Sequence, residues 1–304
     1  MTPCIACLQG CVANMYAGNP VCCLTNPFLG HEAEPLEKAE EPKKVMVIGG
    51  GVAGLSAAFI AKERGHEVTL YEAGDVLGGN MRLAAYPPGK GDITNMIRSY
   101  IHRCQKDGVK IVMNCEVTPE LIKEEKPDSV IIATGSKTLI LPIEGIDNPA
   151  IIHGSDLLDG KRAAGKKVLV VGGGMVGCET AAFLGEQEHD VTVIEFRDTV
   201  GADVIHEHRV YLMKDFEDYG IKEITGAKVC KFYEDGVEYE TADGVRHESR
   251  GYDSVILSMG FRNYNPLEEK IKDLVPETHV IGDAIRARRA LDATKEAYEV
   301  ASRI

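Results

Sequence analysis

Short apolar runs and amphipathic stretches alternate along most of this chain, and the pattern occurs twice. Residues 44–48 (KVMVI) and 167–171 (KVLVV) are almost wholly apolar. Runs of that length without polar alternation predict strands buried on both faces, as in a parallel sheet. Residues 52–64 and 175–186, rich in Ala, Leu, Phe and Glu, predict helices. Second strands follow in GHEVTLY (65–71) and HDVTVI (189–194). Across residues 92–107, Ile93, Met96, Ile97, Tyr100, Ile101 and Cys104 fall on one helical stripe, the pattern of core packing. Two Asp-Gly pairs, 235–236 and 243–244, punctuate VCKFYEDGVEYETADGVRHE and predict a small antiparallel meander.

The repeat extends to spacing. Each copy begins with Lys-Lys, passes through its apolar strand and reaches GGGxxG; Gly49 precedes Glu72 by 23 positions, as Gly172 precedes Glu195. Both copies close on Asp-Ser-Val-Ile, at 128–131 and 253–256, and then reach a glycine, in ATG (133–135) and SMG (258–260). These features predict an α/β fold of two Rossmann-like dinucleotide-binding domains. One GxGxxG is weak support, but here a strand precedes it, a helix follows and an acidic residue closes the next strand, twice over. Gly49 allows the tight turn, Gly51 lets backbone approach a pyrophosphate, and Gly54 lets helix and strand pack. The helix N-terminus offers unpaired N–H groups to phosphate, and Glu72 can accept from ribose hydroxyls. Gly172, Gly174, Gly177 and Glu195 repeat the set. Glu179 reads as a site residue or, at least as well, as a surface helix residue.

Charge and composition narrow the partners. The chain has 304 residues and a formal net charge of -13, which argues against nucleic acid and an anionic membrane surface. Residues 45–61 are too short for a span, too far from the N-terminus for a signal and interrupted by three glycines. The expected location is the cytoplasm, where thiols stay reduced; oligomer formation is left open. Residues 31–44 are charged, carry two prolines and read as a surface linker. His31, His153, His189, His206 and His208 form no metal-spaced set, and Cys104, Cys115, Cys178 and Cys230 read as scattered buried thiols.

Five of the nine cysteines fall in residues 4–23. Three closely spaced thiolates at Cys4, Cys7 and Cys11 with a distant fourth suit a [4Fe–4S] cube; zinc or a Cys4–Cys7 redox disulfide are alternatives. Spacing alone does not choose between Cys22 and Cys23.

Two resemblances sharpen this picture. HVIGDA (279–284) resembles the flavin-contacting segment of two-dinucleotide-domain flavoproteins of the pyridine nucleotide-disulfide reductase type. That likeness, over residues 43–304, implies FAD in the first unit and NAD(P)H in an inserted second unit. The implied FAD contacts are Gly49, Gly51, Ala53, Gly54, Glu72, Gly79, Asn80, Thr134, Gly135, Gly282 and Asp283. The implied NAD contacts are Gly172, Gly174, Met175, Val176, Gly177, Glu195 and Gly260. Glu195 would repel a 2′-phosphate and favour NADH, with Arg197 close by. Further, CIACLQGC…CCLTNP, then a linker, then GGGVAGL, resembles the C-terminal half of the 2,4-dienoyl-CoA reductase and 2-enoate reductase family (NADH:flavin oxidoreductase, Old Yellow Enzyme-like). Trimethylamine dehydrogenase is more distantly similar.

The family likeness implies Cys23 as fourth cluster ligand after Cys4, Cys7 and Cys11, because Cys23 precedes Leu-Thr-Asn-Pro. It implies three parts: residues 1–35 an iron–sulfur segment, 36–137 with 263–304 an FAD domain, and 138–262 an NAD(P)H domain. It implies a flow of electrons from NADH to FAD to [4Fe–4S] and on to an FMN-containing TIM-barrel domain or subunit that reduces an activated C=C bond. The chain starts three residues before Cys4, so the expectation is a separate subunit or an excised half. No catalytic acid or base is expected in it. Two other readings are a reductase of a soluble carrier, such as a ferredoxin or flavoprotein, and an ADP-binding structural module.

Overall fold

The computed structural model describes residues 3–34 and 36–304. They divide into two compact units. One comprises the described residues up to Ala85 with Asp92–Lys137 and Arg262–Ile304; the other comprises Tyr86–Gly91 and Thr138–Phe261.

In the first unit, strand Lys44–Ile48 lies at the centre of a five-stranded parallel sheet. Glu67–Tyr71 and then Lys110–Val112 flank it on one side, Ser129–Ile132 and then Glu277–Val280 on the other. Helices cover the sheet, so Val45, Val47 and Ile131 are fully buried, which is why the strand sequence shows no alternation. Helix Val52–Glu63 is buried from Val52 to Ala61, and helices Asp92–Lys106 and Ala290–Ala301 pack on it. Ala57, Ala58, Ala61, Ala297 and Ala301 are all buried in this core, small side chains that permit close helix approach. The predicted stripe of Asp92–Lys106 faces inward at Ile93, Met96, Ile97, Tyr100 and Cys104, with Ile101 at its edge.

The cysteine-rich segment is fastened to this unit. Leu24 is fully buried, and the buried Tyr100 hydroxyl donates to the Leu24 carbonyl at 3.0 Å. Phe28 meets Tyr298 edge-on at 5.5 Å, and His31 stacks on Tyr298 at 4.3 Å. The expected linker runs over the surface but is tied down: Lys38 Nζ donates to the Glu63 carbonyl, the Ala39 amide to that of Arg64, and Lys43 pairs with Glu277.

The second unit repeats the plan. Lys167–Val171 is central, flanked by Asp190–Ile194 and Lys222–Ile224 on one side and by Ser254–Leu257 and Ile152–His153 on the other, all parallel. The two copies differ in the outer edge strand, which follows the closing strand in the first and precedes the central strand in the second, and in one crossover. Before its closing strand the first has a single helix, Pro119–Glu125, capped by the Thr118 hydroxyl. The second has an antiparallel meander of Ala227–Tyr233, Gly236–Thr241 and Arg246–Ser249. Among the described residues no helix is long and apolar enough to cross a membrane.

Tyr100→Phe removes the hydroxyl that satisfies the buried Leu24 carbonyl. Urea unfolding is expected to show a loss of about 1–3 kcal/mol, the cost of an unpaired buried acceptor.

Candidate functional site

Each glycine loop is shaped by steric necessity. Gly49 has φ +109°, and a Cβ there would stand 2.3 Å from the Ala133 carbonyl oxygen; a Cβ on Gly54 would stand 1.9 Å from that of Gly49. In the second copy Gly172 has φ +105°, and a Cβ on Gly177 would meet the Gly172 oxygen at 1.8 Å. Gly51 is different: its nearest neighbour on that side is Gly79 Cα at 4.0 Å. Gly51 begins the helix with no side-chain cap, so the first N–H groups are available. That open space at an uncapped helix start fits a pyrophosphate.

Glu72 and Glu195 hold these loops. Glu72 accepts from the Gly50 amide at 2.7 Å through Oε2 and from the Gly74 amide at 2.7 Å through Oε1. Glu195 accepts from Gly173 at 2.5 Å and from Arg197 at 2.9 Å. Each carboxylate therefore braces its loop and retains lone pairs for a ribose. Beside Glu72, a cavity of about 120 Å³ is lined by Ile48, Gly49, Tyr71, Cys115, Val117, Thr134, Tyr264 and Leu267 among others. Its apolar walls suit a planar base. Cys115, Val117 and Tyr264 carry no motif, so sequence reading missed them; they meet there only because strand ends converge.

At the other end of the first loop, Gly79 and Asn80 open a short 3₁₀ segment, and the Asn80 amide reaches Ser136 Oγ at 3.3 Å. The Ser136 hydroxyl donates to Asp283 at 2.9 Å, and the Arg288 amide donates to the other Asp283 oxygen at 3.0 Å. Gly282, φ +63°, donates to Glu296 at 2.7 Å and lies against Ala53. Thr134 donates its hydroxyl to the Tyr264 carbonyl, and Gly135 accepts from the Tyr264 amide. The first-unit candidates thus gather along the carboxyl edge of one sheet. Ser136 and Glu296, which hold Asp283 and Gly282, were not foreseen.

In the second unit Met175 and Val176 form the first turn of helix Met175–Glu186, and Gly174 opens it. Gly260, φ +99°, has open space where a Cβ would stand, and its carbonyl accepts from Leu139. Glu179 departs from the surface reading: it is buried and ion-paired with Lys90. The tertiary fold supplies Lys90, from a segment some 90 residues away, as the cation that permits burial of this carboxylate.

Of the four candidate cluster ligands, Cys4 and Cys11 are exposed and Cys7 and Cys23 are partly buried, and electrostatic interaction is resolved most clearly at Cys7. Burial pushes its thiol up; the Gln9 amide opposes this, and Cys23, Cys11 and Cys4 add to it. Each of the adjacent pair has a polar neighbour at 3.4 Å, Asn14 Nδ2 at the Cys22 sulfur and Thr25 Oγ1 at the Cys23 sulfur. Ala6 and Leu8 take left-handed conformations, φ +50° and +55°, which wrap the chain between the first three thiols. The donor set fits a thiolate-bound cluster, although no three His, Cys, Asp or Glu among the described residues are drawn together as a metal site. The scattered cysteines are not all buried. Cys104 and Cys178 are, whereas Cys115 and Cys230 are partly exposed, one lining the cavity and one on the two-sided meander.

The pyridine nucleotide-disulphide oxidoreductase family profile matches residues 43–281. The chain is 34% identical over 306 residues to a cinnamate reductase of Clostridium sporogenes, covering 99% of this chain and 45% of that protein. It is 34% identical over 310 residues to an NADH oxidase of Thermoanaerobacter brockii, covering 99% and 47%. A solved 2-naphthoyl-CoA reductase complex superposes with a TM-score of 0.93 at 33% identity, covering 99% and 46%. The chain spans about half the length of each of these relatives.

Burial pushes both the Cys104 and the Cys178 thiols up to about 12. At pH 8 the thiolate is then about one part in ten thousand at each. Maleimide labelling of metal-free protein at that pH is expected to modify exposed Cys4 and Cys11 and to spare Cys104 and Cys178 until denaturant is added.

Proposed function

The chain belongs to the pyridine nucleotide-disulphide oxidoreductase family and corresponds to the reductase half of enoate reductase-like enzymes, and on that premise we propose that it is an NADH-oxidising electron-transfer module. The observation that carries this reading is the duplication itself: two glycine loops, each braced by its own carboxylate, at the carboxyl ends of two parallel sheets.

FAD belongs to residues 36–137 with 263–304, NADH to 138–262, and a [4Fe–4S] cluster to 1–35. When bound, FAD would supply a two-electron acceptor able to release electrons singly, and the cluster a one-electron relay. The chain's own residues position these groups. The amides after Gly51 receive the FAD pyrophosphate, and Glu72 faces its ribose. The cavity beside Glu72 takes the adenine, keeping it from water. Asp283, fixed by Ser136 and the Arg288 amide, meets the ribitol region. Gly174, Met175 and Val176 receive the NADH pyrophosphate, while Glu195 accepts from the adenosine ribose and disfavours a 2′-phosphate. Cys4, Cys7, Cys11 and Cys23 hold the cluster as thiolates. The acceptor beyond is an FMN-containing TIM-barrel domain or subunit, in keeping with relatives of about twice this length. Its substrate carries an activated C=C bond of the enoate or enoyl-CoA kind.

Anaerobically purified protein is expected to show flavin bands with a broad shoulder toward the blue, both bleached by NADH. A flavin that NADH cannot bleach would sink the proposal, and nucleotide without flavin would replace it with a binding module. Gly51→Ala should lower FAD retention at least tenfold at little cost in stability, because a Cβ there meets open space. Gly54→Ala should instead fail to fold or lose several kcal/mol by thermal melting, because its Cβ would overlap the Gly49 carbonyl.

A further inference from the structure

The two glycine loops are near copies, and one side chain breaks the likeness. Both helices open on a glycine of the same conformation: Gly51 at φ −72°, ψ −178° and Gly174 at φ −71°, ψ −177°. In both, the segment after the bracing glutamate folds back onto the loop through one hydrogen bond. Gly78 N donates to Gly50 O at 2.8 Å, and Gly201 N donates to Gly173 O at 2.7 Å. Each of those glycines lies six residues after its glutamate, so Asn80 and Asp203, two residues further, are equivalent positions.

Their side chains do opposite things. The Asn80 amide turns away toward Ser136, and no acceptor side chain is seen on the Val52 amide among the described residues. The Asp203 carboxylate turns inward. Its Oδ1 accepts from the Met175 amide at 2.9 Å, and its Oδ2 is the atom that a Cβ on Gly174 would meet first, at 3.4 Å. A negative charge thus lies on the helix start where the NADH pyrophosphate is assigned.

We propose that Asp203 is an affinity-setting residue that occupies the pyrophosphate position of the second loop and must rotate out for NADH to bind. The inference rests on the assignment of NADH to that loop. A carboxylate on an otherwise uncapped helix N-terminus stabilises the empty protein through a charge-assisted hydrogen bond and the helix dipole. A pyrophosphate brings its own charge to the same amides, so the two anions exclude each other. Asp203 is exposed, whereas its loop is anchored by Val200, which is fully buried, and by the Gly201–Gly173 hydrogen bond. Rotation about the Cα–Cβ bond frees the amide without moving that anchor. The first loop has no such competitor, which suits a permanently held flavin. The second binds a ligand that must leave after each turnover, and a competing carboxylate also keeps small anions off the empty site.

The test compares unaltered protein with Asp203→Asn and Asp203→Ala by calorimetric titration with NADH and with ADP-ribose, alongside thermal melting. Asp203→Ala is expected to bind both ligands about fivefold more tightly, the equivalent of a cap of about 1 kcal/mol. Without ligand it is expected to melt about 2–4 °C lower. Asp203→Asn keeps an acceptor but loses the charge, so its affinity should also rise, with less loss of melting temperature. Tighter binding in a less stable protein is a combination that a purely structural cap would not produce. Affinity unchanged or weakened in both variants would overturn the inference, and would make Asp203 a structural brace or a direct ligand contact. If unaltered protein binds neither NADH nor ADP-ribose, the assignment of the second loop falls, and the inference with it.

Discussion

The contact on which each half of this protein depends is one too close for a side chain. Gly54 against the Gly49 carbonyl, and Gly177 against that of Gly172, bring a helix onto the strand before it at a distance no Cβ would allow. That approach points the helix start at the carboxyl edge of the sheet and leaves the next glycine, Gly51 or Gly174, facing open space or a displaceable carboxylate. The bracing glutamates act on the same loops, since each accepts from the amide of the middle glycine. The proposed ligand position, ribose contact and pyrophosphate binding all depend on where those few backbone atoms lie.

Duplication gives the molecule an internal control. Four of the five strands keep the same order in both sheets, and the loop-to-loop hydrogen bonds agree to 0.1 Å. The copies diverge around those loops. The first carries the closing segment Gly282–Ala284, the apolar cavity and the cysteine-rich segment pinned by Leu24 and Tyr100. The second carries the meander, the buried Glu179–Lys90 pair and Asp203.

The features legible in advance were those with a local physical cause. Buried parallel strands show as unbroken apolar runs, and Asp-Gly pairs mark the meander. Glycines that must accept positive φ or a close helix announce themselves by spacing. Glu179 was not legible as a buried residue, because its burial depends on a lysine far away in the chain. Cys115 and Cys230 read as core thiols in the sequence, since a cysteine's hydrophobicity does not tell which face of a strand or loop is covered. The cavity beside Glu72 had no signal either, its walls coming from four separate strand ends.

The sequence by itself determined that two nucleotide-binding units follow a cysteine-rich segment, that each has a glycine loop and an acidic partner, and which residues form them. Periodicity and spacing act within one strand–loop–helix segment, so no distant contact was needed to read them. Only the tertiary structure decided which polar side chains face those loops. Ser136 and Glu296 support one nucleotide site, while Asn80 turns away and Asp203 folds in. Such choices depend on where segments far apart in the chain come to rest, and two equivalent positions in a repeat can make opposite ones.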